Sequence, residues 1–303
     1  MDTAWPGFES PGALADALSG VGYLPDEGLA TAGFLAAKLG RPLLIEGAPG
    51  AGKTAFAQAL ASALGVPFIR LQCYEGLDAA QALYDWDFPR QLLHLRAVEA
   101  SASAAGRTLD ADEVEASLYD RRFLLARPVL QALEQSPAVL LVDEIDRADD
   151  EFEAFLLEAL AEWAVTVPEL GRVAATTPPL TILTSNRTRD VHDALKRRCL
   201  YHWVDHPDVE REVAILRLRL PGLDAELAAQ VAGAARRIRG LELFKPPGVA
   251  ESLDWAAALG ALGVEGPAGL TVPIATATLG ALVKYREDLD RVRGADLAAL
   301  LGA

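Results

Sequence analysis

Short apolar runs alternate with longer segments of mixed polarity along the first two thirds of the chain. The runs at 43–45, 138–142 and 180–184 contain only apolar residues and threonine. Runs of this length predict strands that are buried on both faces, as in a parallel sheet. Between them lie segments of strong helix formers, such as 55–64, which glycine terminates. The pattern predicts an α/β fold in which a parallel sheet carries helices on both faces.

Capping residues and changes of pattern define further elements and divide the chain. Only helical patterns follow Asp205–Asp208. We therefore predict an N-terminal arm (1–24), an α/β core (25–207) and a smaller all-helical domain (208–303). The other predicted elements are a helix near 13–18, a helix over 27–39 capped by Asp26, a strand over 66–72, a short helix ending at 118 and capped by Asp110 or Asp112, helices over 126–133 and 145–165, a strand over 201–204, and helices over 209–220, 224–238, 251–262 and about 271–301.

A glycine-rich motif lies between the first apolar run and the helix over 55–64. Its residues are Gly47, Ala48, Pro49, Gly50, Ala51, Gly52, Lys53 and Thr54, which match G-x-x-x-x-G-K-[ST]. The glycines let backbone N–H groups face an anion without a Cβ in the way, and the following helix adds its N-terminus. We predict that this loop binds the phosphates of a nucleotide. Lys53 would reach the β and γ phosphates, and the Thr54 hydroxyl would be a Mg²⁺ ligand.

Polar residues follow the other two apolar runs. Asp143 and Glu144 come after the run at 138–142, and Asn186 comes shortly after the run at 180–184. In open α/β sheets the ligand crevice lies at the carboxyl ends of the strands, so we expect these side chains near the phosphate loop. Asp143 is predicted to hold Mg²⁺, directly or through water, and Glu144 to deprotonate the water that attacks the γ-phosphate. Asn186 is predicted to hold that water or the γ-phosphate.

Two segments are additional to the strands and helices of the predicted α/β core. The segment at about 74–105 contains three aromatic residues separated by acids, Tyr84-Asp85-Trp86-Asp87-Phe88. It is either a helix pair packed on the sheet or an exposed loop that binds a partner. Two short β-type runs around Glu169-Leu170-Gly171 predict a hairpin at about 165–175.

Composition narrows the class of protein. Hydrophobic residues make up 51% of the 303 positions, enough for sizeable cores, and the formal net charge is -15. So acidic a chain is poorly suited to binding a nucleic-acid backbone. The two cysteines are too few for a disulfide framework or a cysteine-built zinc site. No signal-peptide pattern is visible, and prolines and glycines interrupt the uncharged run at 266–283, so we expect a cytoplasmic protein without a membrane span.

The order of these motifs resembles that of the AAA+ ATPase superfamily: phosphate loop, acidic strand, polar strand, the pair Arg197-Arg198, then helices. Residues 43–207 resemble its αβ core, and 208–303 resemble its helical lid. The segment at 74–105 and the hairpin are similar to features of the MoxR family. Peptides similar to the CoxD branch of that family lie at 71–76, 196–201 and 245–251.

This resemblance implies an ATP- and Mg²⁺-dependent remodelling chaperone that assembles as a ring, commonly a hexamer. It also implies a partner with a von Willebrand factor A domain, and a client such as a molybdenum-containing carbon monoxide dehydrogenase. Arg198, or alternatively Arg197, would enter the active site of the neighbouring subunit. The chain departs from the superfamily at the start of the third lid helix, where 248–252 lacks the nucleotide-sensing arginine of many members. Lys245, Arg236 or Arg237 could take that role.

Other functional classes are weighed against this one. A nucleic-acid-associated AAA+ ATPase is disfavoured by the net charge. A nucleotide-switched scaffold with little turnover is disfavoured by the presence of Lys53, Asp143 and Glu144. A P-loop kinase or GTPase is weaker still, because the chain has no N-K-x-D motif for reading the base.

Overall fold

A parallel sheet lies at the centre of the computed structural model, which describes residues 5, 8–106, 108 and 110–302. The strands are β1 (Leu43–Gly47), β2 (Phe68–Gln72), β3 (Tyr84–Trp86), β4 (Leu124–Ala126), β5 (Val139–Asp143), β6 (Ala164–Val167), β7 (Gly171–Ala174), β8 (Leu180–Ser185) and β9 (Leu200–Val204). Five of them form the sheet in the order β2-β5-β8-β1-β9, and every neighbouring pair is parallel. The predicted parallel sheet is therefore confirmed.

Helices surround this sheet and make up the C-terminal part of the chain. They are α1 (Pro11–Gly20), α2 (Glu27–Leu39), α3 (Lys53–Leu64), α4 (Ala79–Leu83), α5 (Phe88–Ala104), α6 (Ala111–Leu118), α7 (Pro128–Glu134), α8 (Asp150–Glu162), α9 (Asp193–Arg198), α10 (Val209–Arg219), α11 (Ala225–Arg239), α12 (Val249–Ala261), α13 (Val272–Leu282), α14 (Arg286–Gly294) and α15 (Leu297–Leu301). Within the described residues, none of these helices combines the length and the apolar character needed to cross a bilayer.

The side chains of each central strand point alternately to the two faces of the sheet, and those on each face pack into a different hydrophobic cluster. In β1, Leu44 packs in a cluster with residues of α7 and α8, whereas Leu43 and Ile45 pack with α1, α2 and α3. This follows from the two-residue period of a strand. Burying each such side chain contributes about 1.5–3 kcal/mol. The α/β fold thus has helices on both faces of its sheet, as predicted.

The C-terminal helices enclose a third cluster, centred on the fully buried Trp255. The predicted boundaries of arm, core and helical domain, at 24 and 207, stay predictions. Residues 1–4, 6 and 7 of the predicted arm and residue 303 of the predicted helical domain lie outside the described residues.

The predicted helix over 145–165 is wrong at its start. Residues Ile145–Arg147 form a 3₁₀ turn, and α8 begins only at Asp150. Two features separate the turn from the helix: Glu144 has a left-handed backbone (φ 57°), and the Asp149 carboxylate accepts the N–H of Phe152 at 2.8 Å as an N-cap. The end is also earlier than predicted, since α8 stops at Glu162.

The predicted helices over 126–133 and 271–301 are corrected as well. Ala126 ends β4, and α7 starts at Pro128, a residue whose fixed φ suits the first helical turn. The long C-terminal helix is three helices, because the chain is extended at 283–285 and Asp296 starts α15 as its N-cap.

The aromatic stretch at 84–88 fits neither of the two predicted alternatives completely. Tyr84–Trp86 forms β3, which pairs antiparallel with β4, and the Trp86 ring packs edge-on against Tyr119 at 5.3 Å between centroids. Strands of three residues are too short for the sequence pattern to predict. By contrast, the following helix α5 leaves Phe88, Leu92 and Leu93 exposed.

Candidate functional site

The glycine-rich loop joins β1 to α3, the strand-loop-helix order that the motif requires. Gly50 and Gly52 have left-handed backbones (φ 75° and 91°), which a side chain would strain. α3 begins at Lys53, so its N-terminal N–H groups lie at the loop. The loop therefore presents backbone donors and a helix N-terminus, the arrangement that binds phosphate.

Lys53 lies buried at the centre of the site. Its Nζ donates to the Gly47 and Ala48 carbonyls at 2.7 and 2.9 Å and to Asn186 Oδ1 at 2.9 Å. Burial lowers the pKa of Lys53, and the surrounding carboxylates, Asp146 foremost, oppose that effect. The ammonium is thus held by the loop itself, at the point where phosphates would meet it.

Asp143 ends β5 beside the hydroxyls of Thr54 and Thr184. Its Oδ1 accepts Thr184 Oγ1 at 2.5 Å and Thr54 Oγ1 at 3.0 Å. Two neighbouring ligands of an octahedral Mg²⁺ at ~2.1 Å would lie about 3.0 Å apart. The oxygens of Thr54 and Asp143 therefore have the chemistry and the spacing that fit Mg²⁺.

Glu144 is held by both of its oxygens. Oε1 lies 3.4 Å from Asn186 Nδ2, while Oε2 lies 3.2 Å from Gln72 Nε2 and 3.0 Å from Arg147 Nε. Its left-handed backbone costs roughly 1–3 kcal/mol. The N–H of Glu144 donates to Thr184 Oγ1 at 2.9 Å, which helps to fix that conformation. Strain of this kind concentrates at functional sites.

Asn186 links the phosphate side of the site to the acid side. One end of its amide accepts from Lys53, and the other lies next to Glu144. The structure therefore brings together the residues of the loop, Asp143, Glu144 and Asn186, which the sequence places in three separate segments.

A cavity of about 410 Å³ opens beside these groups. The polar residues that line it include Lys53, Thr54, Asp143, Glu144 and Asn186. The apolar residues that line it include Tyr23, Leu24, Ile215, Leu218, Val249 and Leu253. A cavity of this size with both polar and apolar lining suits a small ligand that carries both an anionic and a ring portion.

The model of one protein family, the AAA domain (dynein-related subfamily), matches residues 42–199. That span holds the phosphate loop, Asp143, Glu144, Asn186 and the arginine pair, and it covers more than half of the chain. The chain belongs to the AAA domain family. No curated protein matches it. An AAA domain implies nucleotide binding, usually together with Mg²⁺, and the loop and the two oxygen ligands fit both.

In this AAA protein the start of α12 rests directly on the phosphate loop. The N–H of Val249 donates to the Gly50 carbonyl at 3.1 Å. A Cβ placed on Gly248 would lie 2.7 Å from Gly50 Cα, closer than real Cβ atoms come. The C-terminal helices thus meet the loop backbone to backbone, at the position where the superfamily often has an arginine.

The proposed substitutes for that arginine point elsewhere. The Lys245 ammonium lies over the Tyr285 ring at 6.0 Å, and Arg237 Nε donates to the Leu300 carbonyl at 2.7 Å. Arg236 does not line the cavity either. The arginines that line it are Arg211 and Arg219 of α10.

We expect Gly248→Ala to weaken nucleotide binding by roughly fivefold or more, because overpacking costs about 1–3 kcal/mol. The backbone of Gly248 (φ -86°) accepts alanine, so the fold should be retained. Gly260→Ala in the same helix is the matched control, since its Cβ would enter open space. Nucleotide titration by calorimetry measures both variants. Unchanged affinity in Gly248→Ala would show that the Gly248–Gly50 contact does not matter for binding.

The arginine pair ends α9 and lies away from the cavity of its own chain. Arg198 Nη1 donates to the Leu157 carbonyl at 2.8 Å. Arg41 Nη2 donates to the carbonyls of Arg197 and Cys199 at 2.9 and 3.3 Å, which anchors the end of the helix. The Arg197 side chain is exposed, and none of the described residues bonds to its guanidinium.

Sequence reasoning missed several residues of the site. Two of them could have been found from the sequence. Thr184 is a polar residue inside a buried strand, and Asp146 is a third acid close to the end of β5. Asp146 is buried and accepts the backbone N–H groups of Asn186 and Thr188 at 3.2 and 2.9 Å. Tyr23 and the α10 residues had no signal, because only the fold brings them to the cavity.

Proposed function

We propose that this AAA protein hydrolyses ATP and uses the energy to remodel a partner protein. The observation that carries the proposal is the continuous contact from Lys53 through Asn186 to Glu144. This contact supports the proposal because Lys53, the Asn186 amide and the Glu144 carboxylate all line the same cavity.

Each residue has a defined role in this reaction. The loop N–H groups and Lys53 would hold the phosphates, and Thr54 with Asp143 would hold Mg²⁺, whose chemistry is to neutralise the charge of the phosphate oxygens. Glu144 would take the proton of the attacking water. Its present partners, Asn186, Gln72 and Arg147, keep the carboxylate at the cavity wall. Asn186 would orient the water or the γ-phosphate.

The active site would be completed by a second copy of the chain. The arginine pair does not line its own cavity, so its charge is available to a neighbour in a ring, for which a hexamer is the expected form. The contacts favour Arg197 as the arginine that crosses. Both arginines are exposed, but the Arg198 guanidinium donates to the Leu157 carbonyl, whereas none of the described residues bonds to the guanidinium of Arg197. Arg198 would then position the end of α9.

The finer assignment is to the MoxR family and its CoxD-like branch. It rests on the three peptides at 71–76, 196–201 and 245–251, on the added segment at 74–105 and on the hairpin β6–β7. The client would be a metalloenzyme such as a molybdenum-containing carbon monoxide dehydrogenase, with a von Willebrand factor A domain protein as partner.

Phosphate release from ATP by the purified chain tests the core of the proposal. We expect Mg²⁺-dependent turnover that DNA and RNA do not stimulate. Stimulation of several-fold by nucleic acid would favour a nucleic-acid-associated ATPase. Tight ATP binding with no turnover in any assembly state would favour a nucleotide-switched scaffold.

The exposed face of α5 is the proposed client contact. Phe88, Leu92 and Leu93 are 64%, 50% and 68% exposed, which is costly for a surface without a partner. Replacing all three by alanine should leave thermal stability and basal ATP turnover unchanged but abolish client activation. The measurement is dehydrogenase activity in host cells that carry only the variant. Trp86 is a poorer target, since it packs against Tyr119 and its loss would unfold the segment.

The matched control replaces two exposed apolar residues in the connections between the C-terminal helices, Phe244 before α12 and Leu262 after it, by alanine. This control should retain client activation. If the α5 variant activates the client as well as the control does, the client binds elsewhere.

A further inference from the structure

An arginine from the neighbouring strand lies on the carboxylate that is proposed to hold Mg²⁺. Arg70 Nη2 is 2.6 Å from Asp143 Oδ2. Strand β2 pairs with β5 so that Gln72 stands opposite Asp143, and Arg70 precedes Gln72 by two residues on the same side of the strand. The pairing of these two strands therefore brings the guanidinium to Asp143.

The two oxygens of Asp143 share Thr54 but otherwise have different partners. Oδ1 accepts from Thr184 at 2.5 Å and from Thr54 at 3.0 Å, whereas Oδ2 is paired with Arg70 and lies 3.2 Å from Thr54. The Asp143 side chain is 3% exposed. A carboxylate so deeply buried needs a cation beside it, since an unpaired buried charge is strongly unfavourable.

The surroundings add more negative charge. Glu46 and Asp146 are also buried, and Glu144 follows Asp143 directly. The buried cation among them is Lys53, which the loop carbonyls and Asn186 already engage. Arg147 and Arg187 pair with Glu144 and Glu46, so Arg70 is the arginine that lies directly on Asp143 in the absence of a metal ion.

Arg70 can leave the carboxylate without disturbing the core. Its side chain is 49% exposed, and it does not line the nucleotide cavity. It also contacts Gln72 Oε1 at 2.5 Å, and the amide of Gln72 in turn donates to Glu144. Release of Arg70 would thus free one partner of Gln72 as well.

We infer that Arg70 is a built-in competitor of Mg²⁺: it neutralises Asp143 in the metal-free protein and yields Oδ2 when Mg²⁺ enters with nucleotide. Mg²⁺ carries twice the charge of a guanidinium and takes oxygen ligands, so a Mg²⁺ ion held by Asp143 would repel Arg70 and weaken its pairing with Oδ2. Arg70 is then a positioning residue that sets the Mg²⁺ concentration at which the site fills. This inference rests on the proposed Mg²⁺-ATP site.

The test compares the full-length protein with Arg70→Met and with a matched control, Arg147→Met. Arg147 pairs with Glu144 instead of Asp143, at 3.0 Å, so the control removes the same charge one carboxylate away. Binding of the fluorescent nucleotide N-methylanthraniloyl-ADP is measured against free Mg²⁺ at a fixed nucleotide concentration. We expect the Mg²⁺ midpoint to fall about two- to fivefold in Arg70→Met, the range of a partly exposed ion pair, and less in Arg147→Met.

Thermal unfolding supplies a second readout that does not depend on turnover. In EDTA without nucleotide, Arg70→Met should unfold at a lower temperature than wild type, because Asp143 then lacks a cation. With Mg²⁺ and ADP that difference should largely disappear. A difference that persists with Mg²⁺ and ADP means that Arg70 is merely structural and overturns the inference.

The remaining outcomes separate this inference from the proposed function. If wild type binds the nucleotide with Mg²⁺ but the midpoint is unchanged or raised in Arg70→Met, Arg70 is no competitor and the proposed ATPase stands. If wild type does not bind Mg²⁺-nucleotide at all, the proposed function fails. Should Arg70→Met not fold, Arg70→Lys replaces it. Lysine keeps the charge but lacks the planar fork, so a smaller fall of the midpoint is expected, and no fall overturns the inference.

Discussion

Lys53→Ala and Glu144→Gln are expected to abolish ATP turnover in two different ways. In the proposed complex Lys53 meets the phosphates in the ground state, so its loss should weaken ATP binding. A hydrogen bond to a charged group is worth about 1.5–3 kcal/mol, which corresponds to roughly 10- to 150-fold in affinity. In the proposed reaction Glu144 acts on the attacking water, so the glutamine variant should bind ATP as well as wild type. Its turnover should fall by about 10²–10⁴-fold, the usual contribution of a general base.

The positions of Lys53 and Glu144 explain why the two substitutions should affect different steps. Lys53 is bonded to two loop carbonyls, and Glu144 stands on the far side of Asn186 from it. Binding of labelled ATP at equilibrium and phosphate release in single turnover measure the two effects separately. Lys38→Ala, in the last turn of α2, and Glu162→Gln, at the exposed end of α8, remove the same charges outside the cavity and should behave as wild type. Equal ATP affinity in Lys53→Ala and wild type would contradict the assignment of the phosphate loop.

Mixing two inactive variants should restore activity if the site is shared between subunits. Arg197→Ala is expected to lose about 10³–10⁵-fold in turnover, the range for arginines that enter a nucleotide site. Glu144→Gln is expected to be inactive because it lacks the proposed base. In a mixed ring, an alanine subunit keeps its own Glu144 and receives Arg197 from a glutamine neighbour. ATP turnover of the mixture should therefore exceed that of either variant, and specific activity should fall on dilution as rings dissociate.

A second mixture is the control for this result. Lys53→Ala and Glu144→Gln both damage the wall that one chain supplies, so no subunit in their mixture has an intact site, and no activity should return. Arg198→Ala mixed with Glu144→Gln tests the alternative arginine. If both arginine mixtures stay inactive although mixed rings are shown to form, and dilution leaves the specific activity unchanged, each chain completes its site alone.

The residues whose positions could be predicted from the sequence are those that depend on their immediate neighbours. The phosphate loop, Asp143 and Glu144 each follow an apolar strand, and strand ends meet at one edge of a parallel sheet. Asp26 could be predicted as the N-cap of α2 for a similar reason, since the capping bond spans three residues. Local rules are enough for such features.

What could not be predicted depends on contacts that only the folded chain makes. Arg70 and Asp143 are distant in sequence and meet because β2 pairs with β5. Arg41 reaches carbonyls more than 150 residues away. The helix expected over 145–165 begins only at Asp150, after the left-handed Glu144 and the 3₁₀ turn. The Asp146 carboxylate in that turn accepts N–H groups of Asn186 and Thr188, and helix propensity holds no information on such distant contacts.

Hydrogen bonds from Arg41 connect strand β1 to the end of α9. Arg41 lies two residues before β1 and grips the end of α9, while the phosphate loop extends from the other end of the strand. Five residues of strand span about 17 Å and are stiff, being bonded on both edges. β1 therefore forms a stiff connection between the phosphate loop and the arginine pair of one chain. In the proposed ring, a displacement at one nucleotide would reach the neighbouring subunit's site through this connection, and because such coupling is reciprocal, a displacement at that site would reach back to the first nucleotide.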